Sequence, residues 1–207
     1  MLLKYVEEHD GFLFDAAYEH IRLFKLIPYK TYLKNIERLV NDGKMIRISK
    51  GIYAIPDMFG NHESVISYYT DYHGGMVVGD KMYKYLELSD FESKQTIIYT
   101  KKITKQSKQL NELNVMLKYV DFYFSDKLIK IVQALECIEN YNEIIDINGL
   151  KFVELLDEAA NQYDDFVFED IIKVIKYQYS TVRWFHDYIK PKIKYGDPLA
   201  VYEKLTK

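Results

Sequence analysis

Between Tyr29 and Lys50 the chain carries a row of side chains suited to phosphate and base edges. In YKTYLKNIERLVN, residues 29–41, Leu33, Ile36, Leu39 and Val40 stand at i, i+3, i+6 and i+7, which predicts one apolar face of a helix. With that face inward, Tyr29, Lys30, Thr31, Lys34, Asn35 and Arg38 are expected on or beside the outward face. Lysine and arginine match phosphate oxygens and guanine edges, and asparagine bonds adenine through two hydrogen bonds. Gly43 ends the helix. KMIRIS, KG and IYAIP then predict two strands and a tight turn at Lys50-Gly51. Lys44, Arg47, Ser49 and Lys50 are the hairpin's candidate contacts, and Gly51 permits close approach to a nucleic-acid backbone. A helix in the major groove with a basic wing beside it reads double-stranded DNA. Two other readings stand beside this one: a basic helix face is often only a solvated surface, and some winged helices bind proteins instead.

The elements that must position this row lie just upstream. LLKYVEE, 2–8, reads as a short helix, and DGFLF as a turn with an extended piece. DAAYEHIRLF, 15–24, reads as a second helix with Asp15 as N-cap and Ala16, Ala17, His20, Ile21 and Phe24 as packing positions. Pro28 suits the first turn of the third. Three helices and a hairpin give the order of a winged helix-turn-helix over residues 1–57. Residues 58–207 are expected to form a mixed α/β, helix-rich C-terminal domain, so the fold class is α+β and mostly helical. There, 62–72 and 79–88 read as helices separated by HGGMVV, and 94–102 and 114–124 as a short strand pair. Helices follow over 125–141, 148–163 and 167–190. In the first of these, Leu128, Ile131, Val132, Leu135 and Ile138 form the apolar stripe, with Ser125 or Asp126 as cap.

Charge supports a localised anionic partner. From Arg22 to Tyr53 there are eight cations (Arg22, Lys25, Lys30, Lys34, Arg38, Lys44, Arg47, Lys50) and two anions (Glu37, Asp42), an excess of six, although the 207-residue chain is net −3. Twenty tyrosines supply amphipathic core and interface area. Cys137 is the single cysteine, so no internal disulfide forms, which fits a reducing compartment. The start, MLLKYVEEHDGF, lacks the apolar stretch and cleavage site of a signal peptide, and no segment reaches the roughly 18 apolar residues of a membrane span. A soluble, cytoplasmic protein without membrane association is expected.

The segment IERLVNDGKMIRISKGIYAIP resembles the wing region of AbiEi-type antitoxins, bacterial transcriptional regulators of abortive-infection and toxin–antitoxin loci. Leu39, Gly43, Ile46, Arg47, Gly51 and Tyr53 carry the match. More loosely, residues 64–88 are similar to the helix-rich stretch after the family's wing, and 124–138 to the helix after its strand pair. The resemblance implies binding to inverted repeats in the protein's own promoter, repression of an antitoxin–toxin operon, and a nucleotidyltransferase-like toxin that is linked genetically rather than held in a stable complex. It also implies that the C-terminal domain serves dimerisation or antitoxin activity. A homodimer is expected, because one winged helix reads only a short half-site.

Catalytic and metal readings find little footing. His9, His20, His62, His73 and His186 form no HExxH pair, and the neighbours His62-Glu63 and His186-Asp187 point apart on a helix. Asp164, Asp165, Glu169 and Asp170 read as charge at a helix start, against a nuclease-type metal cluster as the competing reading. Cys137 reads as a packing residue, and His73-Gly74-Gly75 as a tight turn without a phosphate-loop signature. Trp184 with Tyr177, Tyr179, Phe185 and Tyr188 reads as helix core, with an aromatic surface for nucleotides as the other reading. No enzyme activity, metal or cofactor is expected.

Overall fold

A computed structural model describes residues 2–8, 14–56, 62–91 and 93–192. The fold is mixed α+β and more than half helical. Its elements in order are α1 (Leu2–Glu8), β1 (Phe14–Asp15), α2 (Ala16–Leu23), α3 (Tyr29–Asn41), β2 (Ile46–Ser49), β3 (Ile52–Ala54), α4 (His62–Thr70), β4 (Gly75–Val78), α5 (Asp80–Tyr85), β5 (Thr96–Thr100), β6 (Ser107–Leu110), β7 (Val115–Tyr119), α6 (Asp126–Glu139), α7 (Gly149–Asn161), α8 (Asp165–Val174) and α9 (Tyr179–Ile189). One sheet has the order β1-β3-β2, and a four-stranded sheet has the order β4-β5-β7-β6.

The chain divides into two compact units. One comprises Met1–Gly75 with Ile97–Phe122, the other Met76–Thr96 with Tyr123–Lys207. The first unit is therefore larger than residues 1–57; it also takes in α4 and the returning strands. The boundary expected near residues 56–61 lies, past Pro56, outside the described residues, as does the tail beyond 192.

In the first unit a core of Val6, Phe14, Ala16, Phe24, Tyr32, Ile36 and Met45 gathers α1, α2, α3 and the first sheet. Asp15 caps α2 as expected: one carboxylate oxygen accepts from the amides of Ala17 (3.2 Å) and Tyr18 (3.3 Å). The other accepts from the Tyr69 hydroxyl at 2.9 Å and from Lys108 Nζ at 2.6 Å. Tyr68 adds a hydroxyl that accepts from the Asp15 amide at 3.0 Å and donates to Glu19 at 3.4 Å. Residues of α4 and β6 thus fasten onto the start of α2, and this is the physical reason the unit extends past the hairpin.

Two strands depart from expectation. HGGMVV was expected as a turn between helices, but Gly75–Val78 is strand β4. A β-carbon at Gly75 would lie 2.4 Å from the Tyr99 carbonyl oxygen and 2.5 Å from that of Tyr69, so close backbone approach requires glycine there. β6, SKQL, pairs antiparallel with β7 from Ser107↔Lys118 to Leu110↔Val115. The expected strand pair is therefore part of a four-stranded sheet.

In the second unit α6 is the central helix, with α7, α8 and α9 packed on it. Leu128, Ile131, Val132, Ala134, Leu135, Glu136 and Cys137 are buried, and Ser125 caps the N-terminus by accepting from the Leu128 amide. Ile138, expected in the stripe, is half-buried. The single helix expected over 167–190 is instead two, α8 and α9, separated by Ile175–Gln178. Ile175 is extended, which turns Tyr177 inward so that its hydroxyl donates to buried Glu136 at 2.9 Å. The Gln178 amide at the start of α9 donates to the Glu139 carboxylate at 3.1 Å.

Candidate nucleic-acid interface

Helix α3 begins after Pro28, which occupies the N-cap. Its buried positions are Tyr32 and Ile36, with Leu39 and Val40 half-buried, at i, i+4, i+7 and i+8. Tyr32 rather than Leu33 anchors the stripe. Leu33, expected inward, lies at the stripe's edge and is 36% exposed. The reason is local: the Tyr32 ring fills the space between Phe24, at 5.4 Å, and Phe14, at 6.3 Å, and the helix rotates to bury it. Burial and neighbouring charge push the Tyr32 hydroxyl's pKa above the ordinary tyrosine value.

That rotation leaves Lys30, Thr31, Lys34 and Arg38 exposed. Lys30, Lys34 and Arg38 are spaced by four and form one row along the helix, with Lys34 nearly opposite the buried stripe. Asn35 is half-buried at the flank. Tyr29, also a candidate contact, is exposed on one side, but its ring lies 4.8 Å from His20 and stacks toward Tyr32 at 6.2 Å. His20 itself is a packing and hydrogen-bonding residue, with Nε2 2.8 Å from the Ile27 carbonyl oxygen.

Gly43, at φ +70°, turns the chain out of α3. The amides of Lys44 and Met45 both donate to the Leu39 carbonyl, which fixes the start of the hairpin against the helix end. In the hairpin Arg47 faces Tyr53 and Ser49 faces Ile52, with a register shift between Arg47 and Ser49. Gly51, at φ +79°, supplies the left-handed residue of the turn, and its carbonyl accepts from the Ala16 amide at 2.9 Å. Lys44, Arg47 and Lys50 are exposed.

Ser49 is different. It is 7% exposed, and its hydroxyl hydrogen-bonds Glu112. Glu112's own backbone amide, then this hydroxyl and the nearby Arg47 charge, hold the Glu112 carboxyl below its ordinary pKa. Nine of the ten candidate contacts are thus at least partly open to solvent, and Ser49 is committed to the protein's own structure.

The other candidates resolve into structural roles. Asp164 caps α8 by accepting from the Phe166 and Val167 amides, and Glu169 pairs with Lys173 at 3.1 Å. Among the described residues no group of three or more His, Cys, Asp or Glu side chains could hold a metal ion. Cys137 is fully buried, and burial raises its thiol pKa well above the ordinary value, so it carries no thiolate. Phe185 and Tyr177 are core, as expected, whereas Trp184 is half-exposed and stacks on Tyr188.

A second cluster, on the first unit, has no counterpart in the sequence reading. Tyr18, Ile21 and Arg22 of α2 share an open groove with residues of the segment 101–106 and with Tyr119 of β7. The run KKITKQSK, 101–108, holds four lysines and was the available signal; its first two lysines fall at the end of the strand expected over 94–102, and nothing in the sequence sets the run beside α2. No helix of the described residues is long and apolar enough to cross a membrane. Comparison of the chain with protein-family models finds no match, and comparison with curated proteins finds none.

Proposed function

We propose that this protein is a DNA-binding transcriptional regulator. The observation that carries this is the exposed row Lys30, Lys34 and Arg38, set opposite buried Tyr32 and Ile36 and followed, just past the end of the helix, by a glycine-turned hairpin bearing Arg47 and Lys50. The order helix, strand, two helices and hairpin, with the first strand paired to the last, supports a winged helix-turn-helix in which α3 enters the major groove and the hairpin is the wing. On this reading Lys30, Lys34 and Arg38 meet phosphates or guanine edges, Asn35 and Thr31 reach bases from the flank, and Lys44, Arg47 and Lys50 grip the backbone. A homodimer binds two half-sites of an inverted repeat in its own promoter. The resemblance of residues 36–56 to AbiEi-type antitoxins supports an antitoxin that represses its own operon and opposes a nucleotidyltransferase-like toxin. The protein acts as a binder and not as an enzyme.

Fluorescence anisotropy with DNA from upstream of the gene tests this against scrambled DNA, between about 50 and about 200 mM salt. Selective binding that falls steeply with salt, and is lost in Lys34→Glu/Arg38→Glu, is expected. Weak binding, equal on both DNAs and indifferent to the two substitutions, overturns it. A second reading, a winged helix that docks on a protein, draws on exposed apolar residues of α2, α3 and the turn between them: Leu26 is 93% exposed, and Leu23 and Leu33 are open as well. A stable co-purifying partner, together with absent DNA selectivity, would favour it.

A further inference from the structure

The groove on α2 is built for a different ligand from the α3 row. Its volume is about 860 Å³, within the roughly 300–1,000 Å³ range of small-molecule sites. Three cations line it, Arg22, Lys101 and Lys105, and no carboxylate does. Two tyrosines, Tyr18 and Tyr119, share the lining, with Ile21 62% exposed beside them.

The arrangement of these groups is specific. Arg22 lies over the Tyr18 ring with Cζ 5.9 Å from the centroid. Its guanidinium is held by the Glu19 carboxylate at 2.9 Å and by the Tyr5 hydroxyl, so its direction is set in advance of any ligand. Glu19 is itself buried and outside the groove's lining, partnered also by Tyr68. The Tyr119 amide donates to the Gln106 carbonyl at 2.8 Å, which ties the lysine-bearing loop to the strand that carries the second ring.

Cations in the lining suit phosphate, and aromatic and apolar side chains beside them suit a flat ring. We infer that this groove binds a phosphorylated nucleotide, free or as the end of a single strand, with the base against Tyr18, Tyr119 and Ile21 and the phosphate at Lys101 and Lys105. A purely acidic peptide would leave the ring surfaces unused, and a purely apolar ligand would desolvate the Lys105 ammonium without compensation. The inference stands apart from the reading of α3. If both hold, the protein has a ligand site separate from its DNA-reading face.

Isothermal titration of the full chain tests it with four probes: AMP, ATP, inorganic phosphate, and a short 5′-phosphorylated single-stranded oligonucleotide. AMP or ATP is expected to bind, with phosphate alone at least about tenfold weaker because stacking is lost. Lys105→Glu, on an exposed loop position, and Tyr119→Ala are each expected to weaken nucleotide binding by about tenfold, while Lys34→Glu/Arg38→Glu leaves it unchanged. Tighter binding of the oligonucleotide than of AMP would identify a strand end as the source, and the reverse a free nucleotide. The inference is overturned if neither nucleotide nor oligonucleotide binds at millimolar concentration, if phosphate binds as well as AMP, or if Lys105→Glu and Tyr119→Ala leave binding intact. It is overturned equally if binding depends on Lys34 and Arg38, because the nucleotide would then be sampling the α3 surface.

Discussion

Helices α3 and α6 are nearly equal in length, 13 and 14 residues, yet two residues of α3 are buried against seven of α6. The difference follows from what packs on each. α6 receives α7, α8 and α9, so almost its whole circumference is covered, and even Glu136 goes inside, its carboxylate accepting from the Tyr177 hydroxyl. α3 rests on the first unit's core through a single narrow stripe and gives the rest of its circumference to Lys30, Lys34, Arg38 and their neighbours. A helix held by one stripe can spare three sides for a ligand; one held by three helices has only a scaffold's role. Substitutions on the exposed sides of α3 should therefore change binding and leave stability nearly untouched, and those at the buried positions of α6 the reverse.

The largest effect is expected where α3's support is anchored. Asp15→Ala removes the cap of α2 and leaves Lys108 and the Tyr69 hydroxyl without their shared carboxylate, a loss of about 3–5 kcal/mol measured by urea unfolding. In α6, Leu135→Ala is expected to cost about 2–5 kcal/mol. Leu33→Ala in α3 should stay within about 0.5 kcal/mol. Equal costs at Leu135 and Leu33 would erase the contrast between the two helices. On the binding side, Lys34→Glu/Arg38→Glu is expected to weaken operator binding about 100-fold, near 2.7 kcal/mol, with an unfolding midpoint close to that of the parent protein.

These contrasts were legible in the sequence to different depths. The limits of α3 and the turn at Gly51 were readable because glycine, proline and 3.6-residue periodicity are local signals. Ile36, Leu39 and Val40 of the stripe were read in place, and only its first position was misread as Leu33, since Tyr32 looks amphipathic in sequence and only its ring neighbours Phe14 and Phe24 make it core. The break between α8 and α9 carries no proline or glycine; it exists because Tyr177 reaches Glu136, 41 residues earlier. β6, SKQL, is polar on its surface and pairs through its backbone, so no apolar alternation announced it. Asp15 was legible as a cap, but its partners Tyr69 and Lys108 lie 54 and 93 residues away. The groove was invisible for the same reason: α2 and the segment 101–106 are neighbours only in the folded chain. Removing the hydroxyl that makes the break worthwhile, by Tyr177→Phe, is expected to cost about 1–3 kcal/mol, because a buried acceptor loses its donor.

The smallest expected effect separates two adjacent residues of the hairpin. Lys50 is exposed beside the turn, and Ser49 is turned inward to Glu112. Lys50→Ala should lower the salt dependence of DNA binding by close to one phosphate contact, a change of about 0.9 in the logarithmic slope. Ser49→Ala should leave that slope unchanged and alter only a titration. The Ser49 hydroxyl helps hold the Glu112 carboxyl below its ordinary pKa, so Ser49→Ala should move the Glu112 midpoint upward, read by NMR at the side chain. Because the folded-state pKa is depressed, the hydrogen bond's contribution is present above the ordinary glutamate value, near about 4.3, and is lost as pH falls through the depressed one. A lower salt slope in Ser49→Ala would mean that the hydroxyl leaves Glu112 for a phosphate when DNA arrives, and the inward half of the hairpin would then share the work assigned to its outward half.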